Sequence, residues 1–567
     1  MPSRRRSYLI VPLFVVFCAV TAGFFSGVAV SAANPAEDTA KEQSVKAFTR
    51  VFDAVEQNFA DPVPSDRAIY DGAIPGMLNT LDPHSRFLDP KEYSKMREDQ
   101  SGRYAGIGMM VGQSGSLPGQ TERNRTIVKF PFSGSPAFKA GLRPGDMILL
   151  VNDKKTDALS MSDVAELLKG APGTQVQVVV KREGVDKQLT FNLTRAEIPR
   201  SSVPYAMMLK NGIAYITITQ FNENTGRDFD EKLKKLDEKN LKGLVLDLRE
   251  NPGGLLNEGV DVAGHFLKKN DTVVSHHGRI QGSNKEYKTR LDGTGKDYPV
   301  VVLVNRRTAS AAEIVSGALQ DHDRAWILGE PTFGKGLVQT VFQLADDTGL
   351  LLTTAHYYTP SGRLIQRDYS NISFLDYYTH SNLEQRNTAD VKMTDGGRTV
   401  YGGGGITPDE RFACTPIDTS LQSPYCSTAD KWNKFQREIY GKNGFTGFAV
   451  AYWGPKTDTT LSKSWEPDDR LIEQFHDYIS KNKFDFTEAD FTANRAWIKQ
   501  ELKRELYVTA FSYEDSQRLA IEQDPAVQKA MESMPHAKEL LDHAKKLLVE
   551  RISQQPVAQN QAQAQAH

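Results

Sequence analysis

Ser310 stands in Asn305-Arg306-Arg307-Thr308-Ala309-Ser310-Ala311-Ala312-Glu313-Ile314, directly after an apolar run and at the opening of a helical stretch. The first N–H groups of a helix have no partner inside it, so they stabilise negative charge that develops beside them. On its own Ser310 reads as a helix cap before it reads as a nucleophile, because serine is a favoured cap. Lys335 lies in Gly329-Glu330-Pro331-Thr332-Phe333-Gly334-Lys335-Gly336-Leu337-Val338-Gln339. A lysine flanked by glycines in an apolar segment has little to solvate its charge, and desolvation lowers its pKa toward the range of a general base. The plainer reading of that segment alone is an exposed loop lysine. Lys335 and Gln339 are four residues apart, which puts them on one face of a helix or a strand. They would be about 6 Å apart on a helix and about 13 Å along a full strand, so contact from a strand needs a bend, which the two glycines permit. Leu246-Asp247-Leu248-Arg249-Glu250-Asn251-Pro252-Gly253-Gly254 reads as a strand ending in a tight turn. The N–H of Gly253 or Gly254, with that of Ala311, could form an oxyanion hole; alone, Pro-Gly-Gly is merely a turn. Together these groups could perform acyl transfer, with Lys335 taking the proton of Ser310 as the hydroxyl attacks.

Other chemistries find less support. His276-His277, His322 and His356 have no partner at ligand spacing and no His-Glu-x-x-His occurs, so neither a metal nor any other cofactor is expected. Asp321-His322 could suggest a triad with Ser310, but adjacent residues point apart on either regular element. With 69 Lys plus Arg against 71 Asp plus Glu and a formal net charge of -2, nucleic acid is not an expected partner.

The chain of 567 residues is too long for one core, and its texture changes along its length. Val45, Phe48, Phe52 and Val55 recur at helical spacing, so 41–100 read as helices broken at Asp61-Pro62-Val63-Pro64. From Tyr104 to about Leu193, five short runs rich in β-formers, among them Thr126 to Phe130 and Val176 to Val180, surround a short amphipathic helix at Met161 to Leu168. From Ile213 to about Leu352 strands alternate with helices. The apolar runs Leu244 to Leu248 and Val300 to Val304 fit strands buried on both faces of an α/β layer. Beyond Phe412 the chain turns polar, with a helix expected from about Pro525 to Ile552 and a disordered Gln/Ala-rich tail from Gln554.

Asp82-Pro83-His84-Ser85, Gly106-Ile107-Gly108, Asp247 to Gly254, Thr308 to Glu313 and Phe333 to Gln339 resemble, in order and spacing, the motifs of the C-terminal processing (tail-specific) serine proteases. The resemblance runs from about residue 40 to Asp409, where Gly402 to Asp409 looks like the family's closing strand motif. It implies Ser310 as nucleophile, Lys335 as general base and Gln339 as the group orienting the lysine. It further implies an α/β core of the crotonase/ClpP-like type with an inserted PDZ domain, and protein or peptide substrates bound by their C-terminus. Gly106, Ile107, Gly108 and Met109 would then hold the substrate carboxylate on backbone N–H groups while the peptide adds a strand. The division that follows is 1–33 signal or anchor, 40–103 N-terminal helices, 104–195 PDZ domain, 200–411 protease core, 412–553 mostly helical region and 554–567 tail. The family often has Arg-Gly where this chain has Lys169-Gly170, and lysine cannot make arginine's bidentate contacts, which puts a PDZ-to-core latch there in doubt. A binding protein that keeps the fold without turnover is the rival reading. An acyl-CoA enzyme fits poorly with a PDZ insertion. Oligomeric state is left open, a homo-oligomer included.

Arg4, Arg5 and Arg6 precede a run from Tyr8 to Ala33 without a charged residue. That pattern reads as an export signal, placing the protein in the periplasm or on the outer face of the inner membrane. The run is long enough to span a bilayer and carries Val30-Ser31-Ala32 as a cleavage site, so a cleaved signal and an uncleaved anchor both stay open. Cys414 and Cys426 would be free to pair in an oxidising compartment or could stand as two unrelated thiols.

Overall fold

The computed structural model describes residues 35–62, 64–113, 125–293, 296–370, 376–377, 387–412, 415–416, 426–427 and 432–564. The export segment at 1–33 and Cys414, one half of the expected disulfide, lie outside these residues. No helix among the described residues is long and apolar enough to cross a membrane. The chain divides into two units, up to Leu81 and from Asp82 onward. The first holds the long helix α1 (Pro35–Asn58) and three short helical turns. Along α1, Val45, Phe48, Val51 and Val55 are exposed.

The second unit opens with strand β1 (Arg86–Leu88) and helix α2 (Pro90–Ser101), which Asp89 starts with a capping box. A small β-rich module follows. It is entered by β2 (Arg103–Gly106) and contains β3 (Met109–Gln113), β4 (Thr126–Pro131), β5 (Met147–Val151), α3 (Met161–Leu168), β6 (Gln175–Lys181) and β7 (Leu189–Thr194), and is left by β8 (Ala196–Pro199). β3 to β7 form one antiparallel sheet in chain order. β2 pairs with β8, Arg103 opposite Pro199, so the module leaves the chain and returns at one place, as an insertion must. Its core of Ile107, Val128, Ile148, Val164, Leu168, Val178 and Val180 is its own.

The main sheet is built from β9 (Ala206–Met208), β10 (Ile213–Thr217), β11 (Gly243–Asp247), β14 (Val300–Val304), β15 (Trp326–Gly329) and β18 (Glu410–Arg411) in that spatial order. All pairs are parallel except β9 with β10. Helices α4 (Thr225–Lys235), α5 (Leu256–Gly264) and α6 (Ala311–Asp321) are its crossovers. A second, antiparallel sheet consists of β1, β12 (Thr272–Gly278), β13 (Lys285–Lys288), β16 (Leu337–Gln343) and β17 (Gly349–Tyr358). Successive side chains of a strand face opposite sides, and both faces of the main sheet are covered. Ala214, Ile216, Leu244, Leu246, Val300 and Val302 pack with Val262 of α5 and Ile314 and Val315 of α6. Tyr215, Val245, Val301, Leu303 and Leu328 pack with Ile521, Val527, Ala530 and Met534. The near-continuous apolar runs therefore arise as expected, but their second cover comes from the C-terminal region.

That region is helical: α7 (Lys434–Gly441), α8 (Gly444–Trp453), α9 (Asp469–Lys481), α10 (Arg495–Ala510), α11 (Tyr513–Gln523), α12 (Pro525–Glu532) and α13 (Met534–Ala564). The single helix expected from Pro525 is two, interrupted at Ser533, whose hydroxyl bonds Glu410 (2.7 Å). α13 runs past Gln554 to Ala564, where the sequence suggested a disordered tail; alanine and glutamine are both good helix formers. The closing strand is Glu410–Arg411 rather than the glycine-rich 402–409, where Gly402 ends a strand begun at Thr399 and the rest is bends and irregular chain.

Candidate active site

β14 ends at Val304 and the chain turns through Thr308, whose hydroxyl bonds the Leu248 carbonyl (2.8 Å), before Ser310 starts α6. Ser310 has φ 55° and ψ −118°, a conformation that non-glycine residues rarely adopt and that costs about 1–3 kcal/mol. Its N–H donates to Glu313 Oε2 (2.8 Å). Glu313, fully buried, collects three more donors: the Lys335 N–H on Oε2 (2.9 Å), the Gly334 N–H on Oε1 (2.7 Å) and the Thr332 hydroxyl. One carboxylate oxygen thus holds the amides of both Ser310 and Lys335. Burial pushes the Glu313 carboxyl up, and these four donors pull it back.

Lys335 precedes β16. Its Nζ donates to Gln339 Oε1 (2.6 Å), and Gln339 Nε2 donates to the His84 carbonyl (2.8 Å), which fixes which way the amide points. The bend that this reach needs comes with a register shift between Val338 and Gln339 against β17. Burial, then the charge of Arg86, lowers the Lys335 pKa to about 8, so roughly a tenth of the molecules carry a neutral amine at pH 7. No direct hydrogen bond joins Lys335 Nζ to Ser310 Oγ. His84 is held by Asp82, whose carboxylate accepts from the His84 N–H (2.7 Å), the Ser85 N–H (2.8 Å) and the Ser85 hydroxyl (2.6 Å). Burial and then the Lys335 charge depress the imidazole to about 4, leaving it neutral.

The Pro-Gly-Gly turn lies against the serine. A Cβ on Gly253 would come within 2.6 Å of Ser310 Cβ and 2.9 Å of Ala311 N, and one on Gly254 within 2.1 Å of the Phe221 carbonyl. Both positions also have positive φ, 96° and 141°, so only glycine fits. The Gly253 N–H is engaged by Asn251 Oδ1 (2.8 Å), which leaves the Gly254 N–H as the turn's other glycine donor.

Ser310, Ala311, Lys335, Gln339, Gly253 and Gly254 are therefore gathered in one place, while Gly106, Ile107, Gly108 and Met109 lie in the inserted module. There the Ile107 and Gly108 carbonyls accept from the Ala137 and Phe132 N–H groups (2.9 and 3.0 Å), and Ser135 Oγ also donates to Gly108 O (2.7 Å). Sequence reasoning gave no role to Glu313, although Ser-x-x-Glu at a helix start is a recognisable spacing, nor to Asn251 or the His84 carbonyl. Asp321 and His322 are committed elsewhere. Asp321 pairs with buried Arg363 (2.7 Å), and the two ring nitrogens of His322 face Asp395 and the Thr272 carbonyl, each at 2.8 Å.

Residues 212–371 match the model of peptidase family S41, and 133–182 match that of a PDZ domain. The chain is 38% identical over 323 residues to a carboxy-terminal-processing protease of Bartonella bacilliformis, covering 56% of this chain and 72% of that one. The chain belongs to peptidase family S41. It is thus a serine peptidase, with a PDZ domain in its inserted module. It is also 31% identical over 366 residues to carboxy-terminal processing protease CtpB of Bacillus subtilis, covering 63% of this chain and 74% of that one. Among solved structures, the photosystem II D1 C-terminal processing protease is 29% identical, with a TM-score of 0.32, covering 66% of this chain and 94% of that one.

Proposed function

We propose that this S41 peptidase is a C-terminal processing endopeptidase in which Ser310 attacks the scissile carbonyl, Lys335 takes its proton and Gln339 orients the lysine. The observation that carries the reading is Glu313 Oε2, which holds the Ser310 and Lys335 amides on one atom beside a partly desolvated ammonium. Gly254 and Ala311 are read as the oxyanion donors, at the turn and at the opening of α6. Neutral Lys335 receives the hydroxyl proton and returns it to the leaving amine, and water then hydrolyses the acyl-serine. No step needs a cofactor.

Substrates are read as exported proteins entering by a free C-terminus, taken by the Gly106–Met109 segment that leads from β2 into β3. The core is read as crotonase/ClpP-like, supported by its parallel sheet with α5 and α6 on one face. The domain limits are read as in the sequence, with β2 and β8 marking the insertion. Export to the periplasm or the outer membrane-facing side of the inner membrane rests on Arg4 to Arg6 and the apolar run after them.

The test is cleavage of an unfolded reporter with a free or an amidated C-terminus by wild type and by Ser310→Ala. Wild type should cut the free tail at least about 10-fold faster, and the variant should cut neither. Equal rates on the two tails would remove the tail-reading claim, and an active Ser310→Ala the nucleophile.

A further inference from the structure

Glu313 restrains Ser310 and Lys335 by their N–H groups, and the other side of both residues converges on a single phenol. Tyr357, on β17 and only 1% exposed, places its hydroxyl 3.1 Å from the Ser310 carbonyl and in hydrogen bond with the Lys335 carbonyl. Its own N–H donates to the Gly336 carbonyl (2.9 Å), so the ring stands on the backbone of the lysine loop. We propose that Tyr357 is a positioning residue for the reaction, its hydroxyl fixing Lys335 in register with Ser310; this rests on the serine/lysine reading above.

The physical need is visible on both sides. The Ser310 carbonyl direction is set by ψ −118° in a strained residue, and strain persists only where neighbours over-determine it. Lys335 sits between Gly334 and Gly336, the softest backbone available, and its Nζ must stay on Gln339 Oε1 (2.6 Å). Fixing the amides alone leaves each peptide free to swing about its N–H anchor; a donor at the carbonyls removes that freedom. Burial, with the Glu313 charge next, pushes the phenol well above its ordinary range, so it is a donor at every working pH. Sliding the serine away from the lysine requires breaking a bond at the hydroxyl as well as one at Glu313.

The test compares Tyr357→Phe, which deletes the hydroxyl alone, with Tyr358→Phe as a control on the other face of β17. For each we would measure kcat, KM and the pH dependence of kcat on a short peptide substrate, together with the rate of serine labelling by a phosphonofluoridate, which reports folded molecules only. Tyr357→Phe should lower kcat by about 10- to 100-fold with KM unchanged, since a misplaced base loses rate without losing substrate contacts. Its pH limb should move above the wild-type value near 8, because a relaxed Lys335 is better solvated, and labelling should slow in proportion to kcat. Tyr358→Phe should match wild type. Wild-type kcat and pH limb in Tyr357→Phe would overturn the proposal. So would a loss accounted for by a smaller folded fraction with the limb and the labelling rate unchanged. Turnover by Ser310→Ala would instead overturn the underlying serine reading.

Discussion

An ammonium whose pKa is held at about 8 by burial and by Arg86 binds its proton less tightly than it would in the unfolded chain, at about 10.4. Between those two values the unfolded state carries more protons, so stability rises with pH there, and below the lower one the full penalty stands. Lys335→Met, which keeps the stem and removes the charge, should therefore stabilise the protein at pH 7 by about 1–3 kcal/mol while abolishing turnover. Urea unfolding at pH 7 and again at pH 10.5 would show the gain shrinking at the higher pH; a Met variant less stable at pH 7 would contradict the buried charge. Much of this was legible in residue types. A serine after a buried strand, a glycine-flanked lysine with glutamine four positions on and a Gly-Gly turn are local patterns. Tyr357 was not legible, because its reach to Ser310 and Lys335 is set by the pairing of β16 with β17, which no short window contains. Gly253 shows the same limit: the sequence left it equal with Gly254, and only the Asn251 side chain separates them.

Elements of strong period or composition came out close to expectation, with α3 at Met161–Leu168 and the runs at β11 and β14. What was missed depends on partners distant in sequence. Nothing local says that α11, α12 and α13 cover the second face of the main sheet, or how they are tied to it. The tie is ionic: Arg249, 3% exposed, pairs with Asp247 (2.6 Å) at the end of β11 and with Asp524 (2.9 Å). Asp524 also caps α12 by accepting from the Ala526 N–H (2.8 Å), and Tyr215 completes the group by donating to Asp247 (2.8 Å). Removing one member of such a group strands buried charge, so Asp524→Ala should cost about 3–5 kcal/mol. Equilibrium unfolding checks this, and a change under about 1 kcal/mol would mean that water reaches Arg249. Because Asn251 and Gly253 stand only two and four positions after Arg249, a loosened Arg249 should also slow cleavage.

At the scale of the molecule, the helical region does more than cover a sheet, since it also grips the inserted module. Arg143 donates to the carbonyls of Trp453 (3.1 Å), Lys456 (2.7 Å) and Thr457 (3.3 Å), and Phe130 stacks on Tyr513 with ring centres 3.8 Å apart. Val450 joins Ile127 and Met147 in one apolar cluster. Lys169 bonds Glu98 of α2 (2.9 Å), a point-charge contact to the N-terminal helix rather than to the protease core. Such contacts hold the module against α2 and the C-terminal helices. Arg143→Ala with Tyr513→Ala should raise amide exchange across β4 and β5 about 10-fold while leaving β11 and β14 protected, as exchange mass spectrometry would read; unchanged exchange would mean that the grip is idle.

The proposed proton transfer from Ser310 to Lys335 is tested most directly by the pH dependence of kcat/KM on a peptide substrate. Wild type should rise with unit slope through about 8, the value set at Lys335, and Lys335→Ala should be inactive across the range. A limb near the ordinary histidine value of about 6.5, or turnover retained by Lys335→Ala, would contradict lysine as the base.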